Sequence, residues 1–235
     1  MDFKNIQNIL FETVEKTDEL LKTDGNIDSR FLRAYLFFAY KTANLAESTI
    51  QLAKRGLVLG ALILLRTTLY DNEMIRYLFR NRDKLLLWLK EQDIERSGGR
   101  PSDEYLNIFK EYKMADFLER HGEKVGHQQI SGGISKLVHG NPNGVTYLSK
   151  YDLSRMNGLD FDDMFIAITE WINSHMLELA ALFLKEMDRS GVREEKFVYS
   201  LNQYYDKVCA YGELFEANQR IREKLKKEEP VRYII

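Results

Sequence analysis

In a chain of 235 residues, the side chains best suited to chemistry are Arg66 and a Ser135–His139 pair. Arg66 lies inside GLVLGALILLRTTLYDNEMIRYLF, whose first half is almost wholly apolar. Desolvating a guanidinium is costly unless a counter-charge meets it. On a helix, Tyr70 would follow one turn later and Glu73 two turns later, on the same side. Two readings stand side by side. Arg66 forms an internal ion pair with Asp71 or Glu73 that fixes helix packing. Alternatively it forms the anion-binding floor of a pocket shared with Tyr70 and Glu73, because its planar fork matches phosphate and carboxylate.

Ser135 and His139 lie four residues apart in SGGISKLVHGNPNG, with Lys136 adjacent. On a helix both would face the same way, as a Ser–His pair must if it is to share a hydrogen bond. A nucleophile–base dyad also needs an orienting acid and an oxyanion hole, and the neighbouring sequence offers neither. A His near a helix C-terminus is also explained by the helix dipole, with Gly140 as the stop. Metal chemistry is not expected. There is no HExxH, no ExxH and no Asp-rich calcium loop, and Glu170 and His175 are five apart, a poor alignment on one helix face. No Walker or Rossmann glycine pattern occurs, so no cofactor is expected either.

The elements that would position these residues are helical. Only 3 Pro and 14 Gly interrupt the chain, 44% of it is hydrophobic and 30% charged, which predicts an ordinary globular all-α protein. Residues 3–22 carry Ile6, Ile9, Leu10, Val14, Leu20 and Leu21 at helical spacing. Residues 29–54 carry Phe31, Ala34, Tyr35, Phe38, Thr42, Leu45 and Leu52 on one stripe, with Asp28 or Ser29 as N-cap and Gly56 as the stop. Residues 57–81 are apolar on nearly all sides at first, which places that half at the centre of the bundle. Helices follow at 83–97 and 103–120, the latter capped by Ser102 with Tyr105, Leu106, Phe109, Tyr112 and Phe117 inward. The Gly- and His-rich stretch 121–159 reads as irregular chain around a short helix at 131–139. It is either a functional loop or a simple crossover.

A long helix is expected at 160–189, opened by Asp160, Asp162 and Asp163, whose charges suit a helix N-terminus better than a metal. The longest helix, 192–228, ends before Pro230 and carries Phe197, Leu201, Tyr204, Val208, Tyr211 and Phe215 at 4-3-4-3-4 spacing. That seam would pack within the chain or form a homodimer. The expected architecture is a single domain over residues 1–235, a multi-helix bundle of about eight helices with its core at 29–189. The basic runs Arg76, Arg80, Arg82, Lys84 and Arg220, Arg222, Lys224, Lys226, Lys227 read as solvated helix ends. A formal net charge of −2 gives no global reason to seek nucleic acid or an anionic membrane. Cys209 stands alone, which suits a reducing compartment such as the cytoplasm, and MDFKNIQNILFETVEK does not read as a secretory leader.

Two stretches, LGALILLRTTLYDNEMIRYL around Arg66 and ISKLVHGNP around His139, resemble an uncharacterised bacterial helical family. Its members carry an Ala-x-x-Leu-Leu-Arg-x-x-x-Glu helix followed by a Ser-x-x-Val-His segment, and the family looks distantly like the HEPN superfamily. The likeness covers roughly residues 30–185. Tyr70 stands where those relatives carry Glu, so an Arg–Glu couple would have to be re-formed with Asp71 or Glu73. The resemblance implies that Arg66, Ser135 and His139 converge in one pocket. HEPN-type ribonucleases also carry an Arg-x4–6-His motif, matched in spacing by Arg120 and His127, although Gly122 and Gly126 interrupt the segment. There an Arg would stabilise phosphate charge and a His would move protons. The expectation is a HEPN-like bundle whose Arg/His pocket, with Lys136 at its edge, takes an anionic, nucleotide or RNA ligand. The alternative is a non-catalytic module that dimerises through its last helix.

Overall fold

Ile6, Ile9 and Leu10 recur on one side of α1 (Phe3–Lys22), and all three are buried. The computed structural model describes residues 3–22, 28–122, 158–192, 195, 198, 199, 202 and 203. Asp28 caps α2 (Ser29–Lys54) by accepting a hydrogen bond from the Arg30 N–H at 3.1 Å. Gly56 closes that helix at φ 73°, a left-handed conformation that glycine adopts without cost, and the Leu57 N–H reaches back to the Leu52 carbonyl at 2.9 Å. The chain continues through α3 (Val58–Arg80), α4 (Arg82–Arg96), α5 (Asp103–Ile108), α6 (Glu111–Arg120) and α7 (Gly158–Arg189). Every described element is helical, and the fold class is all-α as its spacing predicts.

Helix α7 packs against α1, α2 and α3, and α2 packs against α3. Cross-contacts give the directions. Phe31 meets Phe79 and Lys41 meets Asp71, so α2 and α3 run antiparallel. Asn72 meets His175, while Arg82, just past α3, meets Glu186, so α3 and α7 run parallel. The bundle is thereby divided along its length. One half holds Phe31, Tyr35, Phe79 and Phe183 as an aromatic core, with Tyr35 and Phe183 rings 5.7 Å apart. The other holds Thr42, Thr49, Thr68, Asp71, Asn72, Glu73, Glu170, Asn173 and His175, all buried.

Three expectations change. The apolar first half of α3 is not the most deeply buried part, since Leu62 and Leu64 are half-buried and Ile63 is exposed. The buried part is Thr68–Phe79 apart from half-buried Tyr70 and Arg76, because that is where α7 lies alongside. The 103–120 helix is broken at Phe109–Lys110 into α5 and α6. The break resets the helical phase, burying Phe109 against Tyr77 and leaving Leu106 and Tyr112 exposed rather than inward. Arg82 is not a solvated cation. Its side chain is 23% exposed and pairs with Glu186 and Asp28, while its guanidinium carbon stands 4.1 Å from the Phe31 ring centroid.

Ser102 caps α5 as expected, accepting from the Tyr105 N–H at 3.2 Å, and its own hydroxyl donates to the Glu91 carboxylate at 2.6 Å. Helix α7 starts two residues before the expected 160, and the side chains of Asp160, Asp162 and Asp163 lie outside the described residues. So do Phe197, Leu201, Tyr204, Val208, Tyr211 and Phe215 of the expected seam, and Cys209. No described helix is long and apolar enough to cross a membrane.

Candidate functional site

Arg66 sits half-buried on α3, on the stripe that also carries Tyr70 and Glu73. Tyr70 is half-buried and its hydroxyl donates to the Phe109 carbonyl at 3.3 Å, tying α3 to the α5–α6 break. Glu73 is buried on the same helix. Asp71, one of the two carboxylates expected to answer Arg66, is engaged from α2 instead, by Lys41 at 2.9 Å. Arg120 closes α6 at the surface, where its Nε donates to the Asp116 carbonyl at 3.1 Å. Neighbouring His121 stacks on Phe117 with ring centroids 4.1 Å apart. Ser135, Lys136, His139 and His127 lie outside the described residues.

The structure adds residues that spacing alone did not single out. Asn72 Nδ2 donates to the His175 carbonyl at 3.4 Å. His175 Nδ1 lies 3.4 Å from the Glu178 carboxylate, one turn further along α7. Asn173 is 0% exposed, and neither its amide oxygen nor its amide nitrogen has a hydrogen-bond partner among the described residues. The same holds for Asn72 Oδ1, His175 Nε2 and the hydroxyls of Thr42 and Thr169. Leaving a buried polar group unpaired costs about 1–3 kcal/mol, so several of them in one half of a bundle make that half the candidate site. A sequence signal existed. Asn72 and Asn173 interrupt buried helices, and His175 is three residues from Glu178, a better-aligned spacing than its five from Glu170.

The electrostatics of this half are of mixed sign. Burial opposes ionisation of Glu178, but His175, Arg76 and Asn72 together hold its carboxyl below the ordinary carboxylate range. For Asp71 burial wins over Lys41, and its carboxyl is pushed upward. The stability consequences are opposite. A carboxyl with a lowered folded pKa contributes stability above its unfolded pKa, about 4, and loses it as pH falls through the folded value. A carboxyl with a raised folded pKa adds no penalty in acid and a cost that grows as pH rises through both values. Asp71→Asn is therefore expected to raise Tm at pH 7, and the gain should vanish when the melts are repeated near pH 3. A variant less stable at pH 7 would mean that the Lys41 pair outweighs the desolvation of Asp71.

No group of three or more metal-ligating side chains occurs among the described residues. A cavity of about 470 Å³ opens at the far end of α7, lined by Leu184, Met187 and Val192 beside Asp188 and Glu195. Its described lining carries no basic side chain, the wrong sign for a phosphate. The fold and the polar half of α3 and α7 define the chain as an all-helical bundle with a buried polar layer. No family model, no curated protein and no solved structure matches this chain.

Proposed function

We propose that the chain is a HEPN-like bundle that binds a nucleotide or RNA phosphate in the polar half of the bundle. Arg66 supplies the phosphate-contacting guanidinium, and Ser135, Lys136 and His139 complete the pocket. The observation that carries the reading is Asn173, wholly buried with both amide atoms unpartnered among the described residues. It stands in the same half as Asn72 Oδ1 and His175 Nε2, which also lack partners among the described residues. An amide that both donates and accepts suits the edge of a nucleobase, and an arginine on α3, the helix packed against α7, suits its phosphate.

Binding of a short labelled single-stranded RNA, followed by fluorescence anisotropy at two salt concentrations, tests this. The parent should bind, more weakly at higher salt as phosphate contacts require. Arg66→Ala should weaken binding at least about tenfold, and Arg66→Lys should fall between, since it keeps the charge and loses the fork. Circular dichroism on both variants separates lost binding from lost fold. A parent that binds neither this RNA nor a nucleoside monophosphate ends the reading.

A further inference from the structure

The end of α7 builds a cavity that owes nothing to Arg66. Gly191, at φ 76°, stops the helix. Its N–H returns to the Asp188 carbonyl at 3.0 Å, and the Val192 N–H returns to the Met187 carbonyl at 2.8 Å. That pair of bonds turns the chain and sets Val192 in the wall of the 470 Å³ cavity with Leu184 and Met187. Glu195, Val198, Tyr199 and Asn202 are helical and spaced three, one and three residues apart, so they share one face. All four line the same cavity. Its volume falls in the range of small-molecule sites, about 300–1,000 Å³, and far exceeds the voids left between packed helices.

The lining has a definite chemistry. It is apolar at Leu184, Met187, Val192 and Val198 and aromatic at Tyr199, and its only charged side chains are Asp188 and Glu195, both exposed carboxylates. Arg189, next to Asp188 in the chain, is directed elsewhere, to Glu186 at 3.8 Å and to the Phe79 ring at 4.7 Å. We propose that this cavity binds a small organic cation, a primary ammonium on an apolar body. The two carboxylates accept its N–H groups, and the amide oxygen of Asn202 offers a further acceptor. The Tyr199 ring presents a face that attracts the charge, and the apolar wall takes the body. An anion would meet two like charges here, and a neutral apolar molecule would leave both carboxylates unanswered. Two carboxylates are also too few for calcium, which takes six to eight oxygens.

Three probes of one size and different charge test this on the full chain: phenethylammonium, phenethyl alcohol and 3-phenylpropionate. Calorimetry should give phenethylammonium a Kd of about 1 mM or tighter, and the Met187 methyl resonance should move in step with saturation. The alcohol should bind at least about threefold more weakly and the carboxylate not at all, and added salt should weaken the cation. Asp188→Asn and Glu195→Gln should each cost about threefold, and the two together roughly tenfold. Val198→Trp should abolish binding by filling the cavity. All three positions are exposed, so circular dichroism should show an unchanged fold. Absence of cation binding at about tenfold the expected Kd, equal binding of the three probes, or an unmoved Met187 methyl each overturns the proposal. So does a double variant that binds like the parent. The cavity stands at the opposite end of α7 from Asn173, so the outcome of the RNA titrations leaves this proposal unchanged.

Discussion

Arg82→Ala is expected to destabilise the fold by about 3–5 kcal/mol, the usual effect of stripping one partner from a buried ion pair. Glu186 is 1% exposed and would be left with Arg189, whose side chain is half in solvent and 3.8 Å away. The guanidinium also lies over two rings, 4.1 Å from the centre of Phe31 and 5.0 Å from that of Phe79, which adds roughly 1 kcal/mol or more in a desolvated place. Asp28, the N-cap of α2, is a third partner at 3.6 Å. One side chain thus joins the start of α2, the end of α3, the start of α4 and the end of α7. Thermal unfolding should show a fall in Tm of roughly 10 °C. Arg82→Lys should recover part of it, keeping the charge without the flat stacking face. Arg82→Met combined with Glu186→Leu should recover most, because no buried charge is then stranded. A loss under about 1 kcal/mol for Arg82→Ala would put the pair in the class of surface salt bridges.

At the other end of the bundle a substitution should act with the opposite sign. Asn173→Leu is expected to stabilise the protein by about 1–3 kcal/mol, by removing two buried polar atoms that no described group satisfies. Leu keeps a similar branching and adds apolar surface to a helix already flanked by Ile172, Met176 and Leu177, all fully buried. Urea unfolding should show a higher midpoint with an unchanged slope. The same variant should bind RNA more weakly, because binding sites retain strained or unsatisfied groups at the expense of stability. A destabilised Asn173→Leu would show that the amide is needed for packing, and would remove the observation on which the proposed function rests.

Much of the fold was legible in local spacing. The stripe through Phe31, Ala34, Tyr35 and Phe38 needs only 3.6-residue periodicity to declare a buried helix face, and all four are buried. Gly56 and Ser102 act within a turn of their own positions, through a left-handed backbone and an N-cap hydrogen bond. The break between α5 and α6 was less legible. Continuous apolar spacing from Tyr105 to Phe117 predicts one helix, but burying Phe109 beside Tyr77 requires the phase to change there. Uniform hydrophobicity misled in the first half of α3, because an apolar residue is free to face outward while a buried polar one needs a partner.

The candidate site divides in the same way. Arg66, Tyr70 and Glu73 were readable together because they recur along a single helix. The Asn72–His175 contact joins residues 103 apart and the Arg82–Glu186 pair residues 104 apart, and no local rule connects such positions. The sequence alone determined that the chain is helical, where most of its helices begin and end, and which side chains could meet a charge. Tertiary structure decided which charge each one meets. Lys41 on α2 takes Asp71 on α3, and Glu186 on α7 takes Arg82. Helix formation is governed by neighbours three or four residues away, whereas the cost of burying a charge depends on which helix comes to lie beside it.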